Sequence, residues 1–284
     1  MTDTQIPAAP GSSAVASILA AVDLADGAAS RLDLVFDLAD RLSSAVIGVA
    51  ACRADLPFYF DGAIGLADSI ASLERREAAE HIGEAEALFR RAAGTRTNIE
   101  WRAAASAPLK FFADQVRAAD LVIVGGADRT EAPLLPMELD AGDEVMVAGR
   151  PLLVVPPGVS HLACRTVVIA WKDTREARRA VGDALPLLKL AGDVCVLAVG
   201  PGPDEAGAND VAGHLKRHGI PARVMVRPTP AHGAGQEILD VAKQWNADLI
   251  VAGAYGHSRL REWALGGVTR HLLLKSPVCC LISH

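Results

Sequence analysis

Short runs of apolar residues recur along the chain, separated by stretches in which apolar positions return every three or four residues. The runs read SILAAVD (17–23), SAVIGVAA (44–51), a third at about Asn98 to Ala103, DLVIVGG (120–126) and RPLLVVP (150–156). They resume as TVVIAWK (166–172), DVCVLAV (193–199), a third at about Ala222 to Arg227, DLIVAGA (248–254) and SPVCCLI (276–282). Between them lie helix-like segments, among them those ending near Leu42 and Leu190, Lys110 to Ala119, and Gly235 to Ala247. Apolar strands alternating with amphipathic helices predict an α/β fold with parallel sheets and right-handed crossovers.

The pattern occurs twice. From the Asp that opens DLVIVGG to the following Pro151 is 31 residues, and from the Asp that opens DLIVAGA to Pro277 is 29. Order, type and spacing repeat, so the chain reads as two tandem doubly wound, five-stranded, Rossmann-like domains. The expected boundaries are 14–156 and 164–284, joined by PPGVSHLAC (156–164). From Asp23 to Asp120 is 97 residues, whereas Lys172 to Asp248 is 76. The excess falls around 61–93, an extra helical segment that reads as a cover for the sheet or, with the aromatic tip LPFYFDG (56–62) before it, as a surface for the sister half or a partner. The last strands, LLVV (152–155) and VCCLI (278–282), are expected to pair and join the halves as an intrachain pseudo-dimer.

Composition narrows the partners. The 284 residues are 51% hydrophobic but only 4% aromatic, which fits aliphatic strands buried on both faces. A net charge of −6 offers no electrostatic reason to bind nucleic acid or an anionic membrane. No apolar run approaches the roughly 18 to 20 residues needed to span a bilayer. The polar segment Met1 to Ser13 has no Lys or Arg and reads as a disordered leader, so a cytoplasmic location is expected. The five cysteines lack metal-site spacing and read as buried hydrophobes, with a redox role for Cys279 and Cys280 as the alternative.

Candidate chemistry concentrates after the fourth strand of the second half, in GAYGHSRLREWALGGVTRHLL (253–273). Gly253 and Gly256 let the backbone turn and approach an anion closely. Gly266 and Gly267 precede a helix beginning at Val268, whose first N–H groups lack internal partners, and Thr269 adds a hydroxyl. Ligands of such sheets bind at the carboxyl ends of the strands, where strand order reverses. Between the glycines, His257, Ser258, Arg259, Arg261 and Glu262 read either as a solvated loop or as a lid over phosphates. Trp245 and Trp263 read as packing residues. The PTPAHGAG stretch (228–235), with His232, reads as an ordinary strand-to-helix connection.

These residues resemble the universal stress protein family in its tandem form, over nearly all of 15–284. The resemblance rests on the family's motif of Gly, two residues, Gly, nine residues, Gly, then Ser or Thr, which Gly253, Gly256 and Gly266 match, with Gly267 in the last place. It implies a stress-response or regulatory protein that binds ATP or another adenine nucleotide in its second half, without efficient catalysis and with no metal. The implied contacts are Gly253, Gly256, Gly266, Gly267, Val268 and Thr269, with Ala170, Trp171, Lys172, Val199 and Ala252 at the strand ends. A homodimer and an unidentified protein partner belong to the same expectation.

The chain also departs from the family. Where nucleotide-binding members end their first strand in Asp, the second half has Lys172, which cannot accept from a base or ribose but could meet a phosphate. Its neighbour Trp171 could stack on a base. The first half keeps Asp23 but lacks the loop. Counting from the prolines, Asp140 and Ala141 replace Gly266 and Gly267 and Asp143 replaces Thr269; counting on from the fourth strand, Asp128 replaces Gly256. Carboxylates there would repel an anion. The competing readings are a ligand-free interaction protein and a weak ATP hydrolase on the same fold.

Overall fold

Strands rich in Val, Ile, Leu and Ala, with no polar face, must be covered on both sides, and both faces of this sheet carry helices. The computed structural model describes residues 15–53, 64–126, 136–200, 207–254 and 267–284, and side chains of the helix starting at Ile64 from Ala71 onward. The first half runs β1 (Ser17–Ala21), α1 (Ala28–Leu42), β2 (Ala45–Ala51), α2 (Ile64–Ala93), β3 (Ile99–Ala104), α3 (Pro108–Gln115), β4 (Leu121–Gly125), α4 (Ala141–Ala148) and β5 (Leu152–Val155). The second runs β6 (Thr166–Trp171), α5 (Arg175–Leu188), β7 (Asp193–Val199), α6 (Ala208–Arg217), β8 (Arg223–Arg227), α7 (Ala234–Gln244), β9 (Leu249–Gly253), α8 (Val268–Lys275) and β10 (Cys279–Ser283). Among the described residues, no helix is long and apolar enough to cross a membrane.

The strands form one ten-stranded sheet in the order β3-β2-β1-β4-β5-β10-β9-β6-β7-β8. Within each half all pairings are parallel, and the halves meet where β5 pairs antiparallel with β10, Leu152 opposite Ile282 and Val154 opposite Cys280. The tandem doubly wound fold and the joining of the last strands are therefore as expected. Two apolar layers, one on each side of the sheet, each draw residues from both halves.

The extra helix covers sheet, as expected. Phe89 of α2 is fully buried and packs its ring 5.5 Å from Phe36 and 5.3 Å from Trp101. The approach needs Gly48 in β2, because a Cβ there would come within 2.7 Å of the Phe89 ring. The aromatic tip at 56–62 lies outside the described residues. The connection between halves is strapped down: the Arg41 guanidinium donates to the carbonyls of Leu162 and Ala163, and His161 meets Asp37 at 3.0 Å.

The repeated Asp before β4 and β9 has a local cause. Asp120 accepts from the backbone N–H groups of Ala16 and Ser17 at 2.9 and 3.0 Å. Asp248 does the same for Arg165 and Thr166 at 2.8 and 3.3 Å. Each carboxylate thus ties the start of the first strand of its half to the start of the fourth. Replacing Asp248 by Ala removes two charge-assisted bonds, and urea denaturation of the variant is expected to show a loss of about 1–3 kcal/mol. An unchanged midpoint would remove Asp248 from this role.

Candidate functional site

In the second half the switch point lies between β6 and β9, since β7 and β8 extend the sheet to one side of β6 and β9 and β10 to the other. Ala170 faces Leu197 and Ala252 across β6, and Val199 follows the Trp171–Ala198 pair. Ala170, Val199, Ala252 and Val268 pack in one cluster, on the face covered by α7 and α8. Four of the expected contacts thus share one face of the sheet. Lys172 follows them on the rim, exposed.

Trp171 corrects the expectation. Alternation along β6 puts its side chain on the opposite face, with Val167 and Ile169 and the α5 residues, where it is only 6% exposed. Its ring is a core element, closed to stacking on a base. Thr269 is also buried, at 3% exposure, because the second residue of α8 turns inward. Gly256, Gly266 and the stretch from His257 to Glu262 lie outside the described residues, as do Trp263 and Asp128.

Gly253 has a structural cause as well as the expected one. A Cβ there would stand 2.4 Å from the backbone nitrogen of Ala177 and 2.6 Å from the carbonyl carbon of Glu176. The first turn of α5, capped by the Thr174 hydroxyl on the Ala177 N–H, lies directly on the end of β9. Backbone packing alone therefore demands glycine at this position.

The two halves differ most at the helix before the last strand. In α4 the N-cap is Asp140, whose carboxylate accepts from the N–H groups of Gly142 and Asp143 at 2.9 and 3.2 Å. In α8 the N-cap is Gly267, with no side chain to do this. Asp140 thus stands opposite Gly267, one residue from where the prolines place it. The prolines are not equivalent: Leu152, opposite Val122, directly follows Pro151, whereas its counterpart Cys280, opposite Ile250, lies three residues beyond Pro277.

The first half has closed its own site. Asp23, at the end of β1, is paired with Arg31 at 2.8 Å, and both side chains are largely buried. The guanidinium lies 2.4 Å from where a Cβ on Gly125 would be. Glu144 of α4 is buried beside this pair, and burial, then the charge of Asp23, pushes its carboxyl well above the usual range. The cavity lined by Asp23, Gly125 and Glu144 has a volume of about 30 Å³, room for a water or two. The carboxylates Asp140 and Asp23 are thus engaged within the protein, one in capping α4 and the other in an ion pair.

The cysteines are all buried. Burial pushes the Cys164 and Cys280 thiols up to about 12 and Cys195 to about 11, with Cys279 raised further by burial and its thiol neighbours. Thiolate chemistry at Cys279 and Cys280 is disfavoured. What the sequence reading passed over is a group at the next strand end: His232, Glu237 and Asp240 converge at the start of α7. The signal was present as His, four residues, Glu, two residues, Asp, a spacing that places both carboxylates on one helical face.

Two outcomes test this description. Gly253→Ala is expected to cost about 1–3 kcal/mol in denaturant unfolding with or without any ligand, by overpacking α5. Equal stability would show that α5 can yield. For Glu144 the folded carboxyl holds its proton above the unfolded one, so its contribution is complete at low pH and lost as pH rises through the raised value. Glu144→Gln should therefore hold its melting temperature better than the parent between pH 5 and 8, and parallel curves would contradict the shift.

Residues 229–284 match the model described as the universal stress protein family. No curated protein matches the chain. A universal stress protein from Archaeoglobus fulgidus DSM 4304 is similar along 95% of this chain and 96% of its own, at 16% identity and a TM-score of 0.72. A protein of unknown function from Pseudomonas aeruginosa PAO1 is similar along 95% and 93%, at 17% identity and a TM-score of 0.57. The resemblance read from the glycine motif holds: the C-terminal segment carries the universal stress protein family's sequence pattern, on a chain that shares a universal stress protein's fold nearly from end to end.

Proposed function

We propose that this protein is a regulatory, stress-response-type protein whose second half binds an adenine nucleotide, ATP in the first instance, without turning it over efficiently. The observation that carries this reading is the contrast between two helices at equivalent places. The N-terminus of α4 is occupied by its own carboxylate, whereas that of α8 begins at a glycine. A helix N-terminus presents N–H groups and partial positive charge, and without a capping side chain it favours an external anion.

The surroundings suit the rest of a nucleotide. Ala170, Val199 and Val268 are partly exposed apolar residues that pack against the same apolar layer. Exposed Lys172 supplies a cation at the rim where an acid would stand in the family pattern. Recognition here would rest on phosphate and on apolar contact, with less discrimination of base and ribose than an acceptor would provide. The first half, closed by Arg31 and Asp140, would act as the scaffold that fixes the second.

Gly267→Asp transplants the cap of α4 onto α8. It is expected to leave the melting temperature within a few degrees of the parent, because Asp caps as well as Gly or better. Calorimetric affinity for ATP or AMP should fall at least about tenfold, since the carboxylate competes for the same N–H groups and repels phosphate. Binding within twofold of the parent, or no saturable binding by the parent, would overturn the proposal.

A further inference from the structure

His232, Glu237 and Asp240 lie where β8 feeds α7. Gly233, the N-cap of α7, takes φ 89 and turns the chain so that His232 folds back over the first turns of the helix. Its Nε2 stands 3.6 Å from Glu237 Oε2 and 3.6 Å from Asp240 Oδ2. All three donor atoms fall within 4.8 Å of one another. These separations exceed a hydrogen bond. They are close to the roughly 3.4 Å between donors around a tetrahedral ion with bonds of about 2.1 Å.

The oxygens turned away from His232 have their own neighbours. Gln236 donates to Asp240 Oδ1 at 2.9 Å, and the Gln236 carbonyl oxygen is 3.2 Å from a ring nitrogen of His271 on α8. Arg227 Nε, a buried nitrogen without a hydrogen-bond partner, lies 3.9 Å from Glu237 Oε1. Each carboxylate is thus approached on one oxygen while the other faces the imidazole. Outer neighbours of this kind orient the ligands of metal sites. Glu237 is mostly buried at the base of the group, and half-exposed His232 and Asp240 leave its outer side open to water.

We propose that His232, Glu237 and Asp240 bind one divalent first-row transition ion, with water completing its coordination. An imidazole with two carboxylates suits zinc, cobalt, nickel or manganese better than calcium or magnesium, which prefer all-oxygen sets. The inference stands apart from nucleotide binding, and its test uses no nucleotide.

The full chain, free of affinity tags and stripped with chelator, would be titrated calorimetrically with zinc. One ion per chain is expected, with affinity at least about tenfold weaker in His232→Ala and Glu237→Gln. A second histidine pair, His214 and His218 on α6 with ring centroids 4.7 Å apart, provides the control. Binding should persist in His214→Ala. No saturable binding by the parent, binding unchanged in His232→Ala, or binding lost in His214→Ala would each overturn the proposal. Circular dichroism of the metal-free variants would verify that they are folded, and Asp240→Asn would replace any that is not.

Discussion

The antiparallel pairing of β5 with β10 is the contact on which the architecture depends. Each half ends in a short apolar strand, every residue of which is buried. Left alone, each would be an unprotected sheet edge with unpaired backbone groups. Pairing the two removes both edges at once and makes one ten-stranded sheet. It also continues the apolar layers through both halves, so neither half keeps an independent core boundary. The outer edges that remain, β3 and β8, both carry charged residues, Glu100 and Arg102 on one and Arg223 and Arg227 on the other.

That junction brings α4 and α8 into contact as well, since both precede the joining strands. The two helices show how a duplicated fold can diverge at one position. An aspartate at the N-cap satisfies its helix internally, and a glycine has no side chain to do so. The surrounding residues have moved in step. Beside the self-capped helix, Arg31 fills the space against Gly125 and holds Asp23, and Glu144 is buried with its proton retained. Beside the other helix, the Gly253 position is filled by the backbone of α5, and the rim carries a lysine. The two halves thus differ in side chains at this place while sharing one backbone topology.

Duplication, strand order and the joining strands were legible in the residue pattern because they depend on periodicity and on buried-edge chemistry, which are local properties of the chain. The repeated Asp before the fourth strand was legible as a repeat, though its bond to the first strand was not. The family resemblance read from the glycine motif held. Trp171 was misjudged because strand alternation decides its face, and that alternation points it into the α5 layer. The one-residue offset of Asp140 arose from treating Pro151 and Pro277 as equivalent, when Pro151 is the last and Pro277 the middle residue of the three-residue turns before β5 and β10.

By itself, then, the sequence determined two copies of a doubly wound unit, their joining by the last strands and the divergence of one loop. Tertiary structure decided the rest, because it depends on distances between residues far apart in the chain. Only the fold shows that Arg31 occupies the space beside Gly125, that the backbone of α5 lies against Gly253, and that Thr269 turns inward. Only the turn at Gly233 gathers His232 with two carboxylates of the following helix. A strand or helix period says which face a residue takes, but convergence on one point is set by how the elements pack.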